Sequence, residues 1–263
     1  MKITVTFSTC GAALLLAAQL HAADGVVISG TTAVGGKPRS TQIQITKDHI
    51  RSEIVSASGE AQTMIFDAVK QTLWIVNSDK KTYSEMTKAD VEKFGAQMAD
   101  VNVKMQEMIK NMSAEQRARM EQMMKGRGAA APGAPPRKTE YRRAGADRVS
   151  KWACAKYEGF RDNKKTSEVC TVDLKEIGIS AADLDAAKQM AEFFAKISPQ
   201  NADRASFGND EEQGFSGFPV RQVTIVNDAQ TVREVTDVSR QNIPDAAFAL
   251  PQDVKKIASP FAR

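Results

Sequence analysis

The sequence predicts an α+β fold in which one antiparallel sheet is interrupted by a long helix. Short segments with apolar residues at alternate positions fill the first third of the chain, separated by brief polar turns. After residue 87 the apolar residues follow steps of three and four, which is typical of a helix. Strand-like segments return after residue 137. We therefore expect a single sheet with a helical excursion and a further helix packed on it.

The first 23 residues have the three parts of an export signal. Lys2 supplies a positive charge, an apolar run follows between residues 10 and 20, and Ala22 and Ala23 are small residues suited to cleavage. Because the apolar run is short for a membrane span and a polar sequence follows it, an uncleaved anchor is only the alternative. We predict a signal peptide over 1–23, no transmembrane segment in the mature chain, and a periplasmic or secreted protein.

About 240 residues remain after this segment, enough for one large or two small domains. We predict one domain over 24–263 and keep two domains as the alternative. The formal net charge is only +4 and the basic residues are scattered, which argues against nucleic-acid binding. Only His49 lies beyond the signal, so a histidine triad or zinc site is nearly excluded. With no catalytic motif, we expect a non-enzyme without cofactors.

The first strands follow from period-two patterns. Ile43 and Ile45 alternate with glutamines, and residues 50, 52 and 54 share one face, as in half-buried strands. The segments 63–67 and 72–77 are apolar on both faces, which predicts central strands covered on each side. A strand over 82–86 follows. Because the connections are short, we expect antiparallel pairing.

The helical excursion is predicted over 88–125. Thr87 and Asp90 can cap its start, and Ser113 with Gln116 matches a second capping box, so we expect a helix break near Ser113. Residues 126–137 are rich in Gly, Ala and Pro, which predicts a flexible linker. The apolar positions of the first helix have the spacing of a heptad seam: Val91, Phe94, Met98, Val101, Met105, Met108 and Met112.

The two cysteines beyond the signal are predicted to form a structural disulfide. A strand over 149–157 carries Cys154, and a turn at 162–164 leads to a strand over 166–172 that carries Cys170. The cysteines are 16 residues apart on neighbouring strands, and an oxidising compartment favours their pairing. The alternative, a redox-active pair, lacks the Cys-x-x-Cys spacing that lowers a thiol pKa.

A further helix and a hairpin complete the predicted fold. Ser180 and Asp183 can cap a helix. We expect a loop over 200–217, whose acidic residues lack the spacing of a calcium loop, and a hairpin of 220–226 with 232–238. The predicted apolar stripe of the helix is Leu184, Ala187, Ala191, Phe194 and Ile197, and the apolar tail expected to pack on the sheet is Phe248, Leu250 and Pro251.

Several segments together resemble a known family. They are Gly-Val-Val-Ile-Ser-Gly from Gly25, Thr-Gln-Ile-Gln-Ile-Thr-Lys-Asp from Thr41, Met-Ile-Phe-Asp from Met64, Leu-Trp-Ile-Val-Asn from Leu73, Tyr-Ser-Glu-Met from Tyr83, and Trp152-x-Cys154-x-x-Tyr157 with Cys170. This pattern resembles a 4412-like domain-of-unknown-function family of secreted bacterial proteins, from which no functional residue follows. More distantly, the interrupted sheet ending in Phe248-x-Leu250-Pro251 resembles the curved half-barrel of periplasmic lipoprotein carriers.

Methionines dominate the excursion, where seven of the 11 lie between residues 98 and 124. They can fill a core, in which case no surplus is left for a metal, or they can form an adaptable apolar surface. We predict a carrier-type protein that binds a lipid or lipoprotein-like hydrophobic partner through Phe94, Met98, Met105, Met108 and Met112. A hydrolytic enzyme has no supporting spacing. The alternative is a Cu(I)-binding protein using Met105, Met108, Met112, Met120, Met123 and Met124.

Overall fold

Within the described residues, twelve strands form one sheet. The computed structural model describes residues 22–55, 60–116, 119, 139–197, 214–226 and 229–259. Most of the predicted signal peptide, the predicted linker over 126–137, and Met120, Met123 and Met124 lie outside these residues. The strands are β1 (Ala22–Val34), β2 (Lys37–Thr46), β3 (His49–Val55), β4 (Ala61–Asp67), β5 (Thr72–Asn77), β6 (Thr82–Thr87), β7 (Glu140–Val149), β8 (Trp152–Arg161), β9 (Lys164–Val172), β10 (Phe218–Val226), β11 (Ala229–Pro244) and β12 (Lys255–Lys256).

The sheet is curved and unclosed, and its strand order is β12-β6-β5-β4-β3-β2-β1-β11-β10-β9-β8-β7. All neighbours pair antiparallel except β12 and β6, which are parallel. The helices are α1 (Lys88–Lys110) and α2 (Asp185–Ile197), with 3₁₀ turns at Leu174–Ile177, Ala182–Leu184 and Asp245–Phe248. The predicted α+β fold, a half-barrel-like antiparallel sheet with a helical excursion and a further helix, is therefore confirmed.

Two meanders, β1–β6 and β7–β11, meet where β1 pairs with β11. The pairing runs from Ala22 opposite Pro244 to Val34 opposite Thr231. Gly30 permits this contact, because a Cβ there would lie 2.3 Å from the backbone oxygen of Glu234. The order also places β6 next to one edge of the sheet and β7 at the other. The excursion that starts with α1 therefore connects the two opposite ends of the strand order.

The main core lies on the sheet face that carries α2. Phe66 of β4 and Phe193 of α2 meet edge to face with ring centroids 5.5 Å apart, and α2 also contacts β2 and β3. The same cluster includes Val26 of β1 and Trp152 of β8, so it joins the two meanders.

A second cluster lies on the opposite face of the sheet and includes Val27 of β1 and Ile243 of β11. Ile65 and Val76 are buried there beneath Phe248 and the half-buried Leu250. Arg51 Nη1 donates a hydrogen bond of 3.1 Å to the carbonyl oxygen of Ala247, which fixes this tail. The prediction that the central strands are covered on both faces is confirmed. The tail packs on the sheet as predicted at Phe248 and Leu250, whereas Pro251 is exposed.

Two local predictions are wrong. The predicted strand over 149–157 contains the turn at Ser150 and Lys151 that separates β7 from β8. β7 was missed because it is mostly exposed and has no apolar alternation. The predicted stripe of α2 is also shifted, because the helix packs on the sheet and also contacts α1. Ala191 and Phe194 are only half-buried, whereas the buried positions are Leu184, Ala186, Ala187, Met190 and Phe193.

Candidate functional site

The start of α1 is fixed by the predicted capping box. The Thr87 amide donates to Asp90 Oδ2 over 2.8 Å, and the Asp90 amide donates to Thr87 Oγ1 over 3.3 Å. Thr87 Oγ1 also donates a hydrogen bond of 2.7 Å to Asp90 Oδ2. The two hydrogen bonds that this carboxylate accepts, from the Thr87 amide first and the Thr87 hydroxyl second, hold the pKa of Asp90 below its usual value although burial opposes them. The helix therefore leaves β6 in a defined direction.

The first turns of α1 are anchored in the core. Val91 is 1% exposed and belongs to the main cluster, and Phe94 is half-buried. Helix α1 contacts α2 closely at Gly95, where an added Cβ would lie 3.4 Å from the carbonyl oxygen of Lys196. A small residue here lets the two helices approach, and sequence reasoning did not identify this role.

Beyond Gly95 the apolar seam leaves the core. We call Met98, Val101, Met105, Met108 and Met112 the methionine face. Met98 is 41% exposed, Val101 47% and Met108 60%, while Met105 and Met112 are half-buried. The core-filling interpretation is therefore wrong for Met98 and Met108. Helical spacing places the first four in one narrow stripe of α1, and Met112 follows two residues after α1 ends at Lys110.

A row of polar residues flanks the methionine face. Gln97, Lys104 and Asn111 occupy equivalent positions of successive heptads, each one residue before a methionine of the seam. All three are exposed. Lys104 thus places a cation beside an apolar stripe, one helical turn before Met108. The heptad pattern contained this signal, although the sequence-based prediction used only the apolar positions.

The disulfide is confirmed, and a charged network lies beside it. Cys154 and Cys170 are joined with their Cα atoms 5.4 Å apart. Lys165 Nζ forms ion pairs with Glu158 Oε1 at 2.6 Å and with Glu168 Oε1 at 2.7 Å. The hydrogen bond from Lys165 is the main cause of the lowered pKa of Glu168, and burial opposes it. These acids and bases neutralise one another, so we interpret the network as structural.

A small depression adjoins this network but offers little room for an organic ligand. It encloses about 190 Å³ including open solvent. The lining residues are Asp147, Lys156, Glu168, Val169, Cys170 and Arg221.

Ionisable ligands are not clustered in the part of the chain that the structure describes. No group of three or more His, Cys, Asp and Glu side chains there could hold a metal ion. His49 Nε2 lies 3.7 Å from Asp67 Oδ2, and its ring stacks on Phe248. Among the described residues, no helix is both long and apolar enough to cross a membrane.

A family model described as a domain of unknown function, DUF4412, matches residues 91–254, which is more than half of the chain. The chain belongs to the DUF4412 family. The predicted family resemblance is confirmed, and the family description assigns no activity. No curated protein matches this DUF4412 chain at a significant level of similarity.

The comparison with solved structures returns matches of low sequence identity and low TM-score. An uncharacterised conserved protein from Thermus thermophilus is 8% identical with a TM-score of 0.45, covering 90% of this chain and 91% of that one. A chain of the MucA/MucB complex of Pseudomonas aeruginosa is 10% identical with a TM-score of 0.38, and the match covers 89% of this chain and 58% of that one. A LolA superfamily protein from Nitrosomonas europaea is 9% identical with a TM-score of 0.27, and the match covers 88% of this chain and 91% of that one. Values this low do not bear on function.

Proposed function

We propose that this DUF4412 chain is a non-catalytic, exported binding protein of the carrier type that holds the acyl chain of a lipophilic ligand on the methionine face of α1. One observation carries the proposal: the seam of α1 is buried at Val91 and stays apolar after it leaves the core, with Met98 and Met108 exposed. Soluble proteins rarely leave a continuous apolar stripe in water unless something binds it.

The residues of the face suit a chain-like apolar ligand. Methionine is unbranched and has three rotatable bonds, so its side chain adapts to irregular ligands better than Leu or Ile. Burial of apolar surface yields roughly 25 cal/mol per Å², so even partial cover of the stripe favours binding by several kcal/mol before entropic costs. The exposed Lys104 beside Met108 supplies a cation for an anionic head group.

Two features support export to an oxidising compartment. The disulfide between Cys154 and Cys170 is of a kind that persists in secreted and periplasmic proteins. The first 23 residues have the composition of a cleaved signal. We therefore place the proposed carrier in the periplasm.

A non-catalytic role fits the engagement of the reactive side chains. His49 is stacked on Phe248 beside Asp67, and both described cysteines are consumed by the disulfide. No described side chain of these types is left to act as a nucleophile with an adjacent base.

The test is fluorescence titration of delipidated protein with the apolar probe N-phenyl-1-naphthylamine. Wild type should bind the probe saturably. The variant Met105→Glu, Met108→Glu should not, because it places two charges within the face. The matched control is Val103→Glu, Gln106→Glu, which adds the same charges at the same spacing on exposed positions away from the face and should bind as wild type does.

All three proteins are first checked for helicity by circular dichroism. Absence of saturable binding by wild type would contradict the proposal. Equal loss of probe binding in both variants would also contradict it, because the binding surface would then not be the methionine face.

A further inference from the structure

The methionine face carries more thioethers than an apolar surface requires. Four of its five residues are methionines, whereas leucine would supply similar apolar area with better defined rotamers. Core packing does not account for Met108, because this side chain is 60% exposed and is not needed to fill the core.

Helix geometry brings neighbouring thioethers within reach of one ion. Met105 and Met108 are three residues apart on α1, so their Cβ atoms lie about 5–6 Å apart. Met112 follows two residues after the helix ends at Lys110, and its amide donates a hydrogen bond of 3.2 Å to the carbonyl oxygen of Ile109. Each side chain can rotate its sulfur toward its neighbour. Met108 lies between Met105 and Met112 in the sequence, so it can share a cation with either of them.

The chemistry of this donor set selects the ion. Thioethers are soft ligands that suit Cu(I), and they bind hard or borderline divalent cations poorly. Both described cysteines are joined in the disulfide, and no cluster of three or more His, Cys, Asp and Glu competes within the described residues. Glu107, which precedes Met108, partly offsets the positive charges of Lys104 and Lys110 near these methionines.

We propose that Met108, together with Met105 or Met112, forms a thioether site for Cu(I) at the C-terminal end of α1. This goes beyond the binding of a lipophilic ligand, because it uses the sulfur lone pairs and not the apolar area of the side chains.

The test is anaerobic titration of Cu(I) against the competing chelator bicinchoninate. Wild type should take up Cu(I), and Met105→Leu, Met108→Leu, Met112→Leu should weaken uptake at least 100-fold. The matched control is Met98→Leu, which removes a thioether from the same face about 10 Å from Met105 and should bind as wild type does. Undiminished uptake by the triple variant, or no uptake by wild type, would overturn the inference.

The same triple variant separates this inference from the proposed function. Leucine preserves apolar volume at little cost in stability, so the variant should still bind N-phenyl-1-naphthylamine. Loss of Cu(I) with retention of the probe therefore supports the thioether site. Failure of the probe titration in wild type would overturn the proposed function and leave the Cu(I) result standing.

Discussion

At the scale of single residues, Asp67 shows how a buried charge is held. Its side chain is 4% exposed, accepts a hydrogen bond of 2.8 Å from the Lys70 amide and lies 2.9 Å from Lys70 Nζ. Burial alone raises the pKa of Asp67, but the two hydrogen bonds and the charge of Lys70 outweigh burial and lower that pKa below 3.8. The ionised carboxylate therefore stabilises the turn between β4 and β5.

Replacing Asp67 by Asn tests this arrangement. Because the folded pKa is depressed, the carboxylate contributes stability above the unfolded pKa near 3.8 and loses it as pH falls through the folded value. Asp67→Asn should unfold more easily than wild type by about 1.5–3 kcal/mol at pH 7. Urea unfolding at pH 7 and pH 3 should show this difference shrinking in acid. An equal difference at both values would contradict the account.

The disulfide gives a second prediction at this scale. Replacing Cys154 and Cys170 by Ala should lower the free energy of unfolding by about 2–4 kcal/mol, because the bond restricts the unfolded chain. Chemical denaturation of both proteins measures the loss. Non-reducing peptide mapping should recover the linked peptides from wild type, and two freely reactive thiols in native protein would refute the pairing.

At the scale of elements, α1 and α2 use their apolar faces differently. Helix α2 buries Met190 and Phe193 in the main core, whereas α1 buries only the start of its seam. The two helices contact each other where α2 ends. One helix thus completes the core, and the other presents most of its apolar residues to water.

Two adjacent phenylalanines test the packing of α2. Phe193 is buried against Phe66, while Phe194 is half-buried. Phe193→Ala should therefore cost about 3–5 kcal/mol, the usual range for a buried phenylalanine. Phe194→Ala should cost clearly less in the same urea titration. A larger loss for Phe194→Ala would mean that the predicted stripe through Phe194, and not the observed face, packs on the core.

Element positions were largely predictable from the sequence, but packing faces were not. The capping pairs Thr87 with Asp90 and Ser180 with Asp183 form the expected hydrogen bonds, because capping depends on neighbouring residues alone. The exposed β7 lacks an apolar pattern and was missed. The seam of α1 was visible as a periodicity, but its exposure depends on how far the other elements extend.

At the scale of the whole molecule, the pairing of β1 with β11 holds two meanders in one sheet. The predicted hairpins are local and followed from short turns. This pairing joins strands about 200 residues apart, and no local periodicity specifies it. For the same reason the sequence did not show that the excursion connects opposite ends of the strand order.

Gly30 tests the joint between the meanders. Gly30→Ala would place a Cβ 2.3 Å from the Glu234 oxygen, so the strands must separate. We expect a loss of about 3 kcal/mol, at the upper end of common substitutions. The control Gly95→Ala, whose Cβ would stay 3.4 Å from Lys196, should change stability far less. Equal thermal midpoints for Gly30→Ala and wild type would show that this joint tolerates a side chain.

In the proposed function, the methionine face of the folded protein carries a lipophilic ligand. The most direct measurement is native mass spectrometry of protein purified without detergent from its own cells. Wild type should appear with an added mass of a lipid or fatty acid, and Met105→Glu, Met108→Glu should appear at the mass of the bare chain. Wild type at the bare-chain mass, or the same adduct on both proteins, would contradict the claim.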